Sequence, residues 1–342
     1  MTSPIKIGDI IAYPGEKKSG PCMWVELRDG TRVNLPVIII NGKHDGPKVV
    51  ITAAQHPTEL VGVTATQIVA NRLDPEQLKG SLIIFPVANP LAMQFAQYLS
   101  PHDVTNMAAA FPGSAVTGMT PRFANFIWEN AAKDADLIMD FHENWKPCLC
   151  FSIVKPSEDP AIIQKAVDLA DAFGITVIKS RAGKFGLPGT AGGQGLTQLA
   201  MANGIPAFTP EFVGSTEVTF HEDDPAVKVP VRGTMNVLKK LGMISGITEP
   251  QSDILVMQGN FEAVGTIHAD RGGIVHRLVD IAIKLTKDTP IAKVVNSYGE
   301  SVETIVMPVD GYLWGWTYVG GSNMRAMTTQ TGNAVAYCYK DA

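Results

Sequence analysis

Apolar residues along this chain fall into two kinds of short run, and their alternation predicts the architecture. "KVVITAAQ" (48–55) and "GSLIIFPVANP" (80–90) are continuously apolar and bounded by turn formers, the pattern of strands buried on both faces. "TELVGVTATQIVANRL" (58–73) has helical periodicity instead, with Val61, Ala65, Ile68 and Val69 as candidates for one face. Further along, "PRFANFIWENAAKDA" (121–135) reads as a helix before the strand "DLIMDFHE" (136–143). "PAIIQKAVDLADAFG" (160–174) is a helix closed by Gly174, and "ITVIKS" (175–180) follows as a strand. "GLTQLAMANG" (195–204) is a helix closed by Gly204, before the strand "IPAFTPEFVG" (205–214). "PAVKVPVRGTMNVLKKLGMI" (225–244) is the last helix. Ahead of all these, "MWVELRDG" and "RVNLPVIIING" read as two strands joined by a turn at Asp29-Gly30. Strands trading places with helices predict an α/β fold whose mixed, largely parallel sheet is flanked by helices.

Beyond "SGITEPQSD" the helical pattern stops. Residues 252–342 hold β-type runs separated by glycines, among them "EAVGTIHADRGGIVHRL", "TPIAKVVNSYG" and "NAVAYCY". The reading is a larger α/β domain over 1–247 and a small all-β domain over 248–342. Within the latter, "VMPVDGY" is similar to the hairpin tip of biotinyl and lipoyl carrier domains. Met307, Pro308 and Val309 stand there in place of the lysine such carriers need, so a packing role beside the active-site mouth is expected.

Charge narrows the partners. The 342 residues carry a formal net charge of -5 and no basic block, which speaks against nucleic acid and anionic membrane. The first residues lack a secretory pattern and no apolar run is long enough to span a bilayer, so a cytoplasmic protein acting on a small molecule is expected. The sequence leaves open whether it assembles as a homo-oligomer. Four cysteines are too sparse for a disulfide framework, and Cys148 and Cys150, two apart in "CLCFSIV", read as thiols on one face of a strand.

Chemistry-bearing residues collect at the ends of the predicted strands. His56 and Glu59 in "AAQHPTELVG" follow the strand 48–55 at a spacing that puts both on one face of a first helical turn. His142 ends the strand "DLIMDFHE", with Asp140 and Glu143 beside it. Two neutral imidazoles and a carboxylate, His56, Glu59 and His142, make the ligand set of a catalytic zinc site with one position open. Asp140 suits an acceptor for a ligand imidazole N–H. Glu211, at the end of "IPAFTPEFVG", suits a general base and acid on the same rim, since strand carboxyl ends are where open α/β sheets bind ligands.

Taken in order, these segments resemble the succinylglutamate desuccinylase/aspartoacylase family, which shares the zinc carboxypeptidase fold. "AAQHPTE" loosely matches its first ligand motif, "VANPLA" its N-P segment, "AAAFPG" its F-P-G, "DFH" its D-x-H and "GIPAFTPEFVG" its last catalytic strand. The resemblance implies one zinc ion per chain on His56, Glu59 and His142, with Glu211 passing a proton from the attacking water to the leaving nitrogen of a small amide. The same site could serve an ester or a lactam, and a binding protein that keeps the metal without turnover is the alternative outside enzymes.

Two departures bear on the substrate. Family members carry an arginine shortly before "SP" and an Asn-Arg pair ahead of "FPG"; here Gln97 or Tyr98 and then Ala108 and Ala109 stand there. Alanine cannot replace a bidentate guanidinium clamp on a carboxylate. The expectation is therefore a substrate without a clamped α-carboxylate, unless Arg122, Lys146, Arg181 or Lys184 reaches in. Trp145 and Phe212, close in sequence to His142 and Glu211, and the apolar room left by the alanines point to a neutral or partly aromatic amide, and Gln97, Tyr98 or His102 would help to stabilise an oxyanion.

Overall fold

In the computed structural model, residues 3–145, 148–179, 194–214, 218–316 and 328–342 are described. A 13-stranded mixed sheet runs through the molecule. From one edge its order is Glu16–Glu26, Arg32–Asn41, Lys79–Phe85, His44–Thr52, Leu137–Asp140, Ala207–Gly214, Phe151–Val154 and Thr176–Lys179. Phe261–His268, Ala334–Asp341, Gly311–Trp316 and Lys284–Leu285 then continue it. The centre is parallel: His44–Thr52 pairs in parallel with both Lys79–Phe85 and Leu137–Asp140, and Leu137–Asp140 with Ala207–Gly214. Val49, Val50, Ile51, Leu82, Ile83 and Ile84 are wholly buried there, as unbroken apolar runs require.

Helices cover both faces. Leu60–Arg72, Pro160–Phe173 and Pro225–Lys240 pack against one another and against the strand Ala207–Gly214. Leu196–Ala202 lies on the other side, because side chains alternate along that strand. Phe208 and Phe212 meet Phe173 of the first layer, whereas Thr209 bonds Thr197 at 2.9 Å. Helix ends follow local chemistry. Asp159 and Asp224 cap their helices by accepting the N–H of Ala161 and Ala226, each with proline in the first turn. Gly174 closes its helix at φ +94°, a conformation in which a side chain would be strained.

The structure redraws three elements. The edge strand starts at Glu16, earlier than its apolar part, since Lys17 and Lys18 sit on a solvated edge where hydrophobicity is not demanded. The run "DLIMDFHE" divides into Leu137–Asp140 and His142–Trp145. Phe141 separates them, its ring buried against Phe173 and Phe212, and the second piece pairs only with Ala207–Gly214. The C-terminal segment is all β, and it divides its strands. Gly273–Arg277, Pro290–Val295, Ser301–Val306 and Thr328–Thr329 form a separate antiparallel sheet, while the others extend the main sheet from Thr176–Lys179, and a second core lies between the two sets. No helix among the described residues is long and apolar enough to cross a membrane.

Candidate active site

Three strand ends deliver the site. Beyond Thr52 the chain passes through Ala54, at φ +49°, into the turn that holds His56, and Glu59 becomes the N-cap residue of the helix Leu60–Arg72. Its side chain makes no capping bond. It turns away from the helix toward the two imidazoles. Glu59 Oε1 lies 2.8 Å from His56 Nδ1, and Oε2 lies 3.0 Å from His142 Nδ1. All three residues are buried, and one ligand atom from each lies within 4.8 Å of the others.

The far nitrogens fix which atoms face inward. His56 Nε2 lies 3.0 Å from Asn106 Oδ1, and that oxygen also accepts the N–H of Ala108, so it is an acceptor and the imidazole Nε2 carries the proton. His142 Nε2 faces Asp140 Oδ2 at 3.4 Å. The other Asp140 oxygen accepts from Thr52 Oγ1 at 2.5 Å and Gln55 Nε2 at 2.6 Å, which locks the carboxylate. Both rings thus keep Nδ1 for the space beside Glu59. Glu59 Oε2 is buried and has no hydrogen-bond partner among the described residues, despite its short distance to His142. Such an atom calls for a cation. Two imidazole nitrogens and this carboxylate fit a metal ion with a position to spare.

Electrostatics couple the three groups tightly. Burial works against an ionised Glu59, yet His56 and His142 hold its pKa down to about 2. Burial would also keep His142 neutral, but Glu59 and Asp140 raise its pKa well above the ordinary imidazole value. Glu211 lies opposite His142 in the parallel register, and its carboxylate accepts from Asn144 Nδ2 at 2.9 Å. Burial raises its pKa to about 7, with His142 opposing and Glu59 adding to the rise. That range suits proton transfer near neutrality.

The other expected residues divide. Tyr98 stacks on His56, with ring centroids 3.9 Å apart, and burial followed by the charges of Glu59 and Glu211 pushes its hydroxyl pKa up. Gln97 is exposed, and His102 is exposed with its ring edge against Phe95, so neither joins the cluster. Phe212 is corrected outright. It points from the strand opposite to Glu211 and packs in the aromatic core, so it cannot line an aromatic pocket. Arg122 is exposed and donates to the Val116 carbonyl. Lys146, Arg181, Lys184 and the side chain of Trp145 lie outside the described residues.

Several neighbours were not named from sequence. Asn106 looks like any loop asparagine, and Asn144 like any strand-end amide. Lys155 is half-buried near Glu211 and Asp140; burial lowers its pKa and those two carboxylates raise it. Tyr337, on the strand Ala334–Asp341, has its pKa pushed up by burial and then by Cys148, Glu211 and Glu59, which puts a C-terminal side chain beside the site. The flanking "DFHEN" was the one signal in view for Glu143 and Asn144.

The chain thus holds a buried His-Glu-His group and a further glutamate at the strand ends of a helix-flanked mixed sheet. Its family follows from comparison. The succinylglutamate desuccinylase/aspartoacylase catalytic domain model matches residues 45–224, and the chain belongs to that family, whose members are hydrolases of amide bonds other than peptide bonds. The chain is 23% identical over 279 residues to N-alpha-acetyl-L-2,4-diaminobutyric acid deacetylase of Halomonas elongata, spanning 77% of this chain and 74% of that protein. The fold is shared with a succinylglutamate desuccinylase/aspartoacylase from Rhodobacter sphaeroides, at 21% identity and TM-score 0.78 over 95% of this chain and 96% of that one. It is also shared with the product-bound ectoine utilization protein EutE (DoeB) from Ruegeria pomeroyi, at 20% identity and TM-score 0.79 over 99% and 98% of the two chains.

Proposed function

We propose that this chain is a zinc-dependent hydrolase of small amides, with His56, Glu59 and His142 holding one zinc ion. The observation that carries the reading is the convergence of His56 Nδ1 and His142 Nδ1 on one buried carboxylate, at 2.8 and 3.0 Å. A bound zinc ion supplies a lowered pKa for water and polarisation of a carbonyl. Glu211 takes a proton from the attacking water and delivers it to the leaving nitrogen, while Asn144 holds its carboxylate in place. Tyr98, stacked on His56 and tied to Asn106, fills the place of an arginine in related proteins, and its hydroxyl is a donor for charge developing on the carbonyl oxygen.

The substrate reading rests on Ala108 and Ala109. Both are half-buried in the loop beside Asn106, and they offer an entering carboxylate no side-chain partner. An unpaired carboxylate there loses hydration without return, so the pocket favours amides that lack an α-carboxylate. A second reading has one observation in its favour. Lys155 is a half-buried cation close to Glu211 and could meet a carboxylate, as an N-acetyl amino acid of the kind named for the Halomonas relative would require. The test is kcat/KM for matched N-acetyl substrates, each as free acid and as primary amide, in metal-free protein before and after addition of zinc. Zinc-dependent turnover that prefers the amides is expected. Full activity without metal would sink the zinc reading, and consistent preference for the free acids would replace the first substrate reading with the second.

A further inference from the structure

The helix that carries Glu59 begins without a cap of its own. Glu59 is its N-cap residue, but its carboxylate is committed to His56 and His142. The first N–H groups of an α-helix need acceptors from outside the helix. Here they are supplied by a strand 82 residues away in sequence: Glu143 Oε1 accepts the N–H of Val61 in a short bond and that of Gly62 at 3.2 Å. Glu143 directly follows His142. One side chain therefore ties the turn that presents Glu59 to the strand that presents His142, the two residues whose side-chain atoms approach to 3.0 Å.

The surroundings are shaped for this side chain. Glu143 lies opposite Phe212 in the register with Ala207–Gly214, and a Cβ on Gly214 would come within 2.6 Å of Glu143 Oε2. Gly62 sits close as well, since a Cβ there would lie 3.1 Å from the Cβ of Phe141. The helix start, the His142 strand and the Glu211 strand are thus packed around one half-buried carboxyl. Its service to the helix needs an acceptor oxygen and no charge, so a carboxylate, a carboxylic acid and an amide all provide it.

We infer that Glu143 is a positioning residue that sets the spacing of Glu59 and His142 for the metal by capping the Glu59 helix from the His142 strand. The inference rests on the metal reading given above. Without the cap, water replaces Glu143 at Val61 and Gly62, the first turn frays, and Glu59 loses its fixed approach to His142. Loss of a partner that orients a metal ligand lowers affinity by about 10- to 100-fold.

The test measures zinc affinity by competition with a chromophoric chelator, together with amide hydrogen exchange at Val61 and Gly62 in metal-free protein. Glu143→Ala should show weaker zinc binding by about 10- to 100-fold and faster exchange at both amides. Glu143→Gln should keep both near wild type, because its amide oxygen still accepts. Gly214→Ala, which crowds the Glu143 side chain without altering it, should move both readouts in the direction of Glu143→Ala. Val69→Ala removes buried volume from the same helix away from its start, and should lower thermal stability with zinc affinity unchanged. Zinc binding by Glu143→Ala within twofold of wild type would overturn the inference while leaving the metal reading intact. So would a Gln variant as weak as the Ala variant, or equal weakening by Val69→Ala. If Glu143→Ala fails to fold, Gly214→Ala and Glu143→Gln decide the matter on the same readouts. A wild-type protein that takes up no zinc would overturn the metal reading, and this inference with it, while the exchange rates would still report the cap.

Discussion

Asp140 offers a sharp test of how the site selects its ligand atoms. Its Oδ1 accepts two donors, the Thr52 hydroxyl and the Gln55 amide, and its Oδ2 faces His142 Nε2. In Asp140→Asn the new amide has one acceptor and one donor end. The oxygen must face Thr52 and Gln55, because the amide nitrogen there would oppose two donors. Its NH₂ then faces His142 Nε2 and favours the tautomer with the proton on Nδ1. The nitrogen meant for metal would lose its lone pair, although the variant differs from wild type by one atom. Orienting partners of this kind are worth about 10- to 100-fold in metal affinity, or about 1.4 to 2.7 kcal/mol. Zinc competition should show that loss, and nitrogen chemical shifts of His142 in the metal-free variant, read at a pH where the ring is neutral, should report the changed proton position. Thr52→Val is the control: it removes one hydrogen bond to the Asp140 carboxylate, costs about 1.5 to 3 kcal/mol in stability and leaves the tautomer alone. A zinc affinity for Asp140→Asn within twofold of wild type would show that Asp140 does not set the His142 tautomer.

Two further outcomes are expected. Glu211→Gln should retain zinc and substrate binding but lose on the order of a hundredfold or more in kcat, as for a missing general base; loss of metal from this variant would make Glu211 a ligand instead. Zinc affinity should rise with pH across neutrality, by up to about tenfold per pH unit for each proton released. The sign follows from His142: its pKa in the metal-free fold is raised, so metal must displace a proton at neutral pH and displaces none above that raised pKa. Chelator competition at several pH values checks it, and a flat profile would contradict the raised His142.

Much of this was legible before any coordinates. Continuous apolar runs marked the central strands because both faces are buried, and proline and glycine marked the helix ends because their backbones allow little else there. His56, Glu59, His142 and Glu211 could be singled out since all fall where apolar runs stop. Sequence could not say which neighbour reaches them. Gln97 and Tyr98 are adjacent in the chain, and only the path of the loop turns the tyrosine onto His56 and the glutamine into solvent. Phe212 misled for a related reason: proximity to Glu211 in sequence places it on the opposite face of a strand. Asn106 and Glu143 act across 50 and 82 residues, and no local pattern encodes such pairs.

Those separations also bear on how the molecule comes together in time. His142 and Glu211 stand opposite each other on parallel strands, and a parallel pair needs a long crossover between its members. Glu59 meets His142 directly, and the helix it opens is tied to the His142 strand through Val61 and Glu143, 82 residues apart. No contiguous stretch of chain can build the group by itself, and each closure costs loop entropy before any contact repays it. Folding should be slow for a chain of this helical content, with the three ligands meeting late and nearly together. A metal that binds only the assembled trio would then leave the rate of folding almost untouched and slow the reverse step, so that bound zinc would act chiefly as a brake on unfolding.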